Sequence, residues 1–450
     1  MRNTFYISCP IDTFSGYGAR SRDFAKAIIE LNKYDVKIIS QRWGSTAFGF
    51  IDNNPEWEFL RSYVLWNLPP GQLPEKPNVW CQITVPNEFQ PVGDYNIGVT
   101  AGIETTICDA EWIEGMNRMD FNLVSSNHSL QVFKQSVYEK KDNKTGNTIS
   151  KVELTTPTEV LFEGANLDIF KPKKKSELKY KDILDEINSI PENFVFLNVG
   201  HWMKGDMGED RKNIGLTVKS FYETFKNKKN KPALLLKTCM VNNSYMDRRE
   251  IMRKIDIIRA QCEGDLPNVY VLSGEFTDDE MSEIYNHPKI KAMVSHTKGE
   301  GFGRPLLEFS LCNKPIIASA WSGQIDFLKP EFTGLLGGRL TPIHKSAQQP
   351  KVLIEGSHWF SPDHSHINAF WNVIYTNLKE WNVKAKRQGY HSRTNFSFEK
   401  MKEKVGKLLE ANVKASPINV GLKLPTLKKL DKKQGNGLKL PTLKKIKANG

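Results

Sequence analysis

The chain has 450 residues, of which 39% are hydrophobic and 25% charged, so we expect roughly two or three domains with substantial cores. No apolar run reaches about 18 residues, which argues against a transmembrane helix, and residues 1–12 lack the basic and apolar regions of a secretory signal. The six cysteines form no CxxC pair, which excludes a disulfide scaffold and a cysteine zinc site and favours a cytoplasmic location.

The net charge of +12 is concentrated in residues 411–450, which contain ten lysines and one aspartate and therefore carry +9. Residues 1–410 carry the remaining +3 (12 − 9), which gives the body of the protein no obvious face for a polyanion. The nonapeptide GLKLPTLKK occurs at 421–429 and again at 437–445. We therefore predict a disordered Lys-rich tail. The alternative is a repeated peptide that docks on an acidic partner.

Short, mostly apolar β-rich runs alternate with amphipathic segments along the chain. Such runs are typical of strands that helices cover on both faces. The predicted strands are 4–8, 36–40, 79–84, 95–100, 122–126, 159–162, 194–200, 233–238, 269–273, 291–296 and 315–319. The predicted helices are 19–31, 213–225, 247–262 and 278–285. This order predicts an α/β protein with parallel sheets.

A Pro- and Lys-rich stretch at 170–175 separates two periodic regions. We therefore predict two Rossmann-like domains, at 1–170 and 171–395, followed by an amphipathic helix at 396–410. The polar segment 139–156 predicts a hairpin inserted in the first domain, with its turn near 145–147.

The strongest chemical signal is GEGFGRPLLEFS at 299–310. It follows a predicted strand and opens a helix, with Pro305 in the first turn, where a missing N–H is harmless. Gly301 and Gly303 would let backbone N–H groups approach a phosphate. Glu300 on the loop and Glu308 on the helix could accept hydrogen bonds from sugar hydroxyl groups.

This E-x7-E pattern in an EGFG setting resembles the retaining glycosyltransferases of family 4, which have the GT-B fold. Three further segments resemble family motifs: 196–200 with 211–213, 164–170, and the glycine-rich loop at 15–18. The resemblance implies two Rossmann-like domains facing across a cleft, with the helix at 396–410 crossing back to the first. It also implies sugar transfer from a nucleotide-sugar substrate, with no cofactor and no metal.

Residue roles follow from the same resemblance. Lys212, with Arg211, would hold the donor diphosphate, and Glu300 the hydroxyl groups of the donor sugar. Glu308 would bind the ribose. The remaining donor-side candidates are Gly16, Gly18, His201, Phe302 and Gly303, the last two through backbone N–H groups.

One position departs from the family pattern. His201 stands where the family often has an arginine, and a neutral imidazole is a weaker diphosphate partner than a guanidinium. On the acceptor side, Glu104 is a cleft candidate or a simple helix cap. His128 is a cleft candidate or a structural histidine.

The acceptor is open at this stage. A glycan, polysaccharide or lipid-linked acceptor is the family's common use. A modified DNA base is an alternative, as in phage glycosyltransferases, because the basic tail would add affinity for phosphates. A catalytically degenerate GT-B scaffold that presents the repeated peptides is a third hypothesis.

Overall fold

The computed structural model describes residues 2–69, 71–142, 145 and 147–413. The chain up to this point packs as one compact unit. The two GLKLPTLKK peptides and the rest of the predicted tail from residue 414 lie outside the described residues. So does Gly146 of the predicted hairpin turn.

The first half of the chain builds one parallel sheet and one hairpin. Its elements are β1 (Thr4–Cys9), α1 (Gly16–Glu30), β2 (Asp35–Ser40), β3 (Val79–Ile83), β4 (Tyr95–Thr100), α2 (Ala110–Asn117), β5 (Phe121–Val124), α3 (Asn127–Gln135), β6 (Tyr138–Lys141), β7 (Thr148–Val152) and β8 (Thr158–Val160). The sheet has the strand order β2-β1-β3-β4-β5-β8. Strands β6 and β7 pair with each other in antiparallel fashion.

Both faces of this sheet are covered, which explains why its strands are apolar throughout. Successive side chains of a strand point to opposite faces. Phe5 accordingly packs in a core with Phe24 of α1, whereas Tyr6 packs in a second core with Trp112 of α2 and Phe133 of α3.

The second half builds a second parallel sheet. Its elements are α4 (Lys181–Asn188), β9 (Val195–Val199), α5 (Ile214–Phe225), β10 (Ala233–Lys237), α6 (Tyr245–Ala260), β11 (Val269–Leu272), α7 (Asp278–Asn286), β12 (Ile290–Ser295), α8 (Arg304–Leu311), β13 (Ile316–Ser319), β14 (Gly334–Leu336), β15 (Gly338–Pro342), β16 (His358–Pro362), α9 (His364–Thr376), α10 (Leu378–Asn395) and α11 (Phe398–Asn412). The sheet has the order β11-β10-β9-β12-β13-β14, and β15 and β16 form an antiparallel hairpin.

Helix α11 returns to the first half. Its Phe398, Met401 and Val405 pack in the same core as Phe24 of α1. Buried apolar contact of this kind is the main source of helix docking energy, so the end of the described chain ties the two halves together.

The prediction of an α/β chain with two parallel sheets is confirmed, and each predicted strand overlaps an observed one. The predicted elements omit α2, α3, α4, β14, the β15–β16 hairpin, α9 and α10. These are mainly short elements or, as in α10, helices in which charged residues interrupt the apolar stripe. The domain limits at 170 and 395 stay predictions.

Candidate active site

The candidate catalytic residues come from loops at the carboxyl ends of parallel strands, where open α/β sheets bind ligands. Glu104 follows β4 in the first half, and Glu300 follows β12 in the second. Arg211 and Lys212 lie between β9 and α5. The two halves meet along this edge, so four charged side chains from three loops come together.

Glu300 is the centre of this cluster. Lys212 Nζ donates to both of its carboxylate oxygens, at 2.6 and 2.7 Å. Arg211 lies 3.6 Å from Glu300 and, with its other terminal nitrogen, 3.6 Å from Glu104. The Arg211 guanidinium also donates to the carbonyl of Gly299 at 2.8 Å. Arg211 therefore bridges the two halves of the chain.

The cluster is largely shielded from water, since only 11% of the Glu300 side chain and 19% of the Lys212 side chain are exposed. Burial alone raises the pKa of Glu300, but Lys212 and Arg211 outweigh it and hold the pKa below the ordinary value. Burial lowers the pKa of Arg211, but Glu104 and Glu300 raise it above the ordinary value. Glu300 and Arg211 are therefore charged at neutral pH.

The backbone of Glu300 is fixed by the turn after β13. Ser322 Oγ accepts a hydrogen bond from the Glu300 N–H at 2.9 Å, and the Gly323 N–H donates to the Glu300 carbonyl at 3.0 Å. Ser322 has φ 69° and ψ −154°, a region that residues other than glycine rarely adopt. The strained backbone of Ser322 thus belongs to the turn that holds the backbone of Glu300 in place.

The glycines beside Glu300 allow the two halves of the chain to pack closely against each other. A Cβ on Gly299 would overlap the carbonyl oxygen of Glu104, and one on Gly301 would overlap that of Ala101. Ser125 Oγ of the first half also donates to the Gly301 carbonyl at 3.1 Å. The space that was predicted for a phosphate beside Gly301 is therefore filled by first-half backbone in this structure.

Glu308 lies one turn into α8 and is 6% exposed. Arg304 Nε donates to Glu308 Oε1 at 2.7 Å, and the Tyr285 hydroxyl donates to Oε2 at 3.3 Å. Burial raises the pKa of Glu308 to about 7, because the nearby Arg304 compensates only part of the desolvation. Glu308 thus titrates near neutral pH.

Arg304 also reaches across to the first half. Its Nη1 pairs with the carboxylate of Asp23 on α1. Asp278 at the start of α7 and Glu163 lie near enough to raise the pKa of Arg304 further, against the effect of burial. A second charged bridge therefore connects α1 to α8, beside the one through Arg211.

Four further donor-side candidates are three glycines and Phe302. Packing requires a glycine at position 18, since a Cβ there would overlap the Thr13 carbonyl oxygen, whereas a Cβ on Gly16 would face open space. Gly303 precedes α8 with φ 96°, which requires glycine. Phe302 has its ring in the core, 5.1 Å from the ring centroid of Phe327, so only its backbone is left for a ligand.

His201 follows β9, with part of its surface exposed to solvent. Desolvation of the ring by the protein around it and the cations Lys212 and Lys237 lower its pKa, so the imidazole is neutral at physiological pH and supplies no charge. His128 lies edge-on to Trp321 of the second half, with ring centroids 4.6 Å apart. Burial lowers the pKa of His128 to about 4.

Three residues that contact the candidate carboxylates or their neighbours are absent from the predicted site: Asp23, Arg304 and Ser322. The spacing of Arg304 and Glu308, four residues apart on one helix, was a readable signal. Asp23 has no local signal, because its partner is 281 residues away.

Within the described ranges, no group of three or more His, Cys, Asp and Glu side chains could hold a metal ion. Metal independence itself stays a prediction. No helix in the same part of the chain is long and apolar enough to cross a membrane.

Comparison with known proteins points to one class. Residues 263–340 match the family model described as "Glycosyl transferases group 1", a segment that contains both Glu300 and Glu308. A search of curated proteins found no match.

Solved structures resemble nearly the whole chain. A sucrose-phosphate synthase from Thermosynechococcus elongatus superposes with a TM-score of 0.59 at 14% identity, covering 91% of this chain and 99% of that one. HepE of Anabaena in complex with UDP and glucose gives 0.56 at 12% identity, covering 91% and 100%. An alpha,alpha-trehalose-phosphate synthase (UDP-forming) from Burkholderia xenovorans in complex with glucose-6-phosphate gives 0.57 at 10% identity, covering 92% and 100%. With its two parallel sheets and these likenesses, the chain has the GT-B fold of glycosyltransferases, and its segment 263–340 matches the group 1 model.

Proposed function

We propose that the protein is a retaining glycosyltransferase of family 4 that moves a sugar from a nucleotide-sugar donor to an acceptor hydroxyl in glycan or polysaccharide synthesis. The observation that carries this proposal is the buried Lys212–Glu300 pair, 2.6 Å apart at the carboxyl edge of the second sheet. It lies where the two halves meet, and Glu300 belongs to the segment that matches group 1 glycosyl transferases.

In this proposal Lys212 and Arg211 neutralise the donor diphosphate. Negative charge grows on the leaving phosphate as the sugar departs, so fixed cations there stabilise the transition state more than the ground state. No metal is needed for that task. Arg211 takes the role of the arginine that His201 replaces, because its charge is permanent and it is already in the cluster.

The carboxylates bind the sugars. Glu300 accepts hydrogen bonds from hydroxyl groups of the donor sugar, and ionised Glu308 accepts two from the ribose. Backbone N–H groups of Phe302 and Gly303 approach the phosphates at the start of α8. Because Gly299 and Gly301 touch the first half directly, the halves must separate to admit the donor and close over it again.

The first half supplies the acceptor side. Glu104 and His128 both contact the second half there, through Arg211 and Trp321 respectively.

We place the reaction in the cytoplasm, which is supported by six buried cysteines that are all free. UDP-glucose is the first donor to test, because HepE was solved in complex with UDP and glucose and the trehalose-phosphate synthase from Burkholderia xenovorans is UDP-forming.

Thermal unfolding of the purified chain with UDP, GDP and ADP tests donor binding, because a ligand of the native state raises the melting temperature. We expect a rise with UDP that Lys212→Ala abolishes. The exposed Lys379→Ala is the matched control and should keep it. Product anomers are then read by NMR after incubation with UDP-glucose and a glycan acceptor. Inversion at the anomeric carbon would refute retention, and no rise with any nucleotide would refute the transferase assignment.

Ser322→Ala tests whether the turn after β13 positions Glu300. The Glu300 N–H loses its partner, so we expect kcat to fall about ten- to a hundredfold. The KM for the donor should change little, because Ser322 itself holds no donor group in this proposal. A rise in KM with unchanged kcat would show instead that Ser322 binds the donor.

A further inference from the structure

The second half contains a cavity of about 760 Å³ that the proposed reaction does not use. It lies between residues 207–209, the first turns of α5, the β15–β16 hairpin and the start of α9. A volume of this size is typical of small-molecule sites, which span roughly 300–1,000 Å³. Its lining includes Asn213 and Lys298, the neighbours of the proposed catalytic residues, but neither Lys212 nor Glu300.

Positive charge prevails in this cavity. Its lining carries two carboxylates, Glu209 and Asp363, and two histidines, His344 and His364. Four side chains of the lining are basic: Lys219, Lys298, Arg339 and Lys345. The excess of cations favours an anionic ligand.

Lys298 contributes a buried basic side chain to the lining of the cavity. It is only 4% exposed, and its Nζ lies 3.1 Å from the Ser361 hydroxyl and 3.9 Å from the Glu209 carboxylate. The Trp359 ring centroid is 5.0 Å away. The ammonium group of Lys298 is buried while its ion-pair partner Glu209 is 3.9 Å away, so its charge is incompletely compensated, since burying a charge is costly unless it is closely paired.

Asn213 adds an unused acceptor. It is fully buried, and its side-chain amide donates to the His296 carbonyl at 3.1 Å. Its Oδ1 has no hydrogen-bond partner within the described part of the chain. A buried acceptor without a donor is unfavourable, so the floor of the cavity offers a place for a hydroxyl group beside the cations.

We propose that this cavity binds a small phosphorylated sugar or polyol, at a site separate from the donor site. The phosphate meets Lys298 and the cations at the rim, and a hydroxyl group meets Asn213. The site is coupled to the proposed active site through the backbone: the Lys298 N–H donates to the Arg211 carbonyl at 2.8 Å. A ligand there therefore acts on the two segments that carry Lys212 and Glu300.

Isothermal titration of the full chain tests the proposal, with fructose 6-phosphate, inorganic phosphate and uncharged fructose as probes. The test variant is Lys219→Gln/Arg339→Gln/Lys345→Gln, which changes rim side chains and leaves the buried Lys298 intact. The matched control is Lys379→Gln/Lys386→Gln/Arg387→Gln on α10, with the same change of charge on exposed side chains. Lys212→Ala reports on the donor site.

We expect fructose 6-phosphate to bind the parent, the α10 control and Lys212→Ala alike. Its affinity for the rim variant should fall at least about tenfold, because charge-assisted hydrogen bonds are lost. Inorganic phosphate should bind more weakly, since it lacks the sugar hydroxyl groups, and fructose not at all. The proposal is overturned if fructose 6-phosphate does not bind, if inorganic phosphate binds as tightly, if both triple variants lose affinity equally, or if Lys212→Ala abolishes binding. Since the readout is binding alone, its failure is distinct from failure of the transferase assignment.

Discussion

The single substitution Glu300→Gln is expected both to remove most sugar transfer and to destabilise the fold. The amide cannot neutralise Lys212, whose ammonium group lies 2.6 Å from the carboxylate in a site shielded from water. Removing one partner of a buried ion pair typically costs about 3–5 kcal/mol. We expect about 3 kcal/mol here, because Arg211 still has a carboxylate partner in Glu104. Turnover should fall at least about a hundredfold, as when a group that stabilises the transition state is lost.

Urea unfolding and transfer rates, measured well below the unfolding midpoint, separate the two effects. Lys212→Met/Glu300→Met removes both charges and should recover most of the stability while remaining inactive. Glu355→Gln, an exposed side chain between β15 and β16, should change neither property. Parental turnover in a folded Glu300→Gln variant would show that Glu300 has no catalytic role.

The pH dependence of the same variant has a defined sign. Because the folded pKa of Glu300 is lowered, its contribution to stability is present above the ordinary value of 4.5 and is lost as the pH falls through the folded value. The stability difference between parent and Glu300→Gln should therefore hold between pH 7 and 5 and shrink in more acid solution.

The parts of this site that could be predicted from sequence are those with local signals. Glu300, Gly303 and Glu308 lie in one strand–turn–helix unit, and its order of apolar run, glycines and Pro305 is visible within residues 290–310. Lys212 is linked to them only by the family resemblance. Its contact with Glu300 spans 88 residues and depends on neighbouring parallel strands.

The features of the site that the sequence could not reveal depend on how closely the two halves of the chain pack against each other. Gly301 reads as part of a phosphate-binding turn, yet in the structure it makes room for the carbonyl group of Ala101, as the adjacent Gly299 does for that of Glu104. A glycine required by a close neighbour and one required by a ligand have the same signature in a sequence. The same holds for Asp23, which reads as an ordinary polar residue of α1 until its partner on α8 is known.

Arg304→Met is expected to cost about 3–5 kcal/mol of unfolding free energy at pH 8, because Asp23 and Glu308 lose their shared buried cation. The loss should be smaller at pH 5.5. The folded pKa of Glu308 is already raised to about 7, and without Arg304 it rises further. A carboxyl group with a raised folded pKa favours the fold below its unfolded pKa, and that contribution is lost as the pH rises through the folded value.

Chemical unfolding of the parent and Arg304→Met at the two pH values measures this difference. Adding Glu308→Gln to Arg304→Met should restore part of the stability at pH 8 and flatten its dependence on pH, because the uncompensated carboxylate is gone. Arg253→Met breaks an exposed pair with Glu250 on α6 and should leave unfolding unchanged at both values. An equal loss for Arg304→Met at pH 5.5 and 8 would mean that the charge of Glu308 does not contribute to the effect.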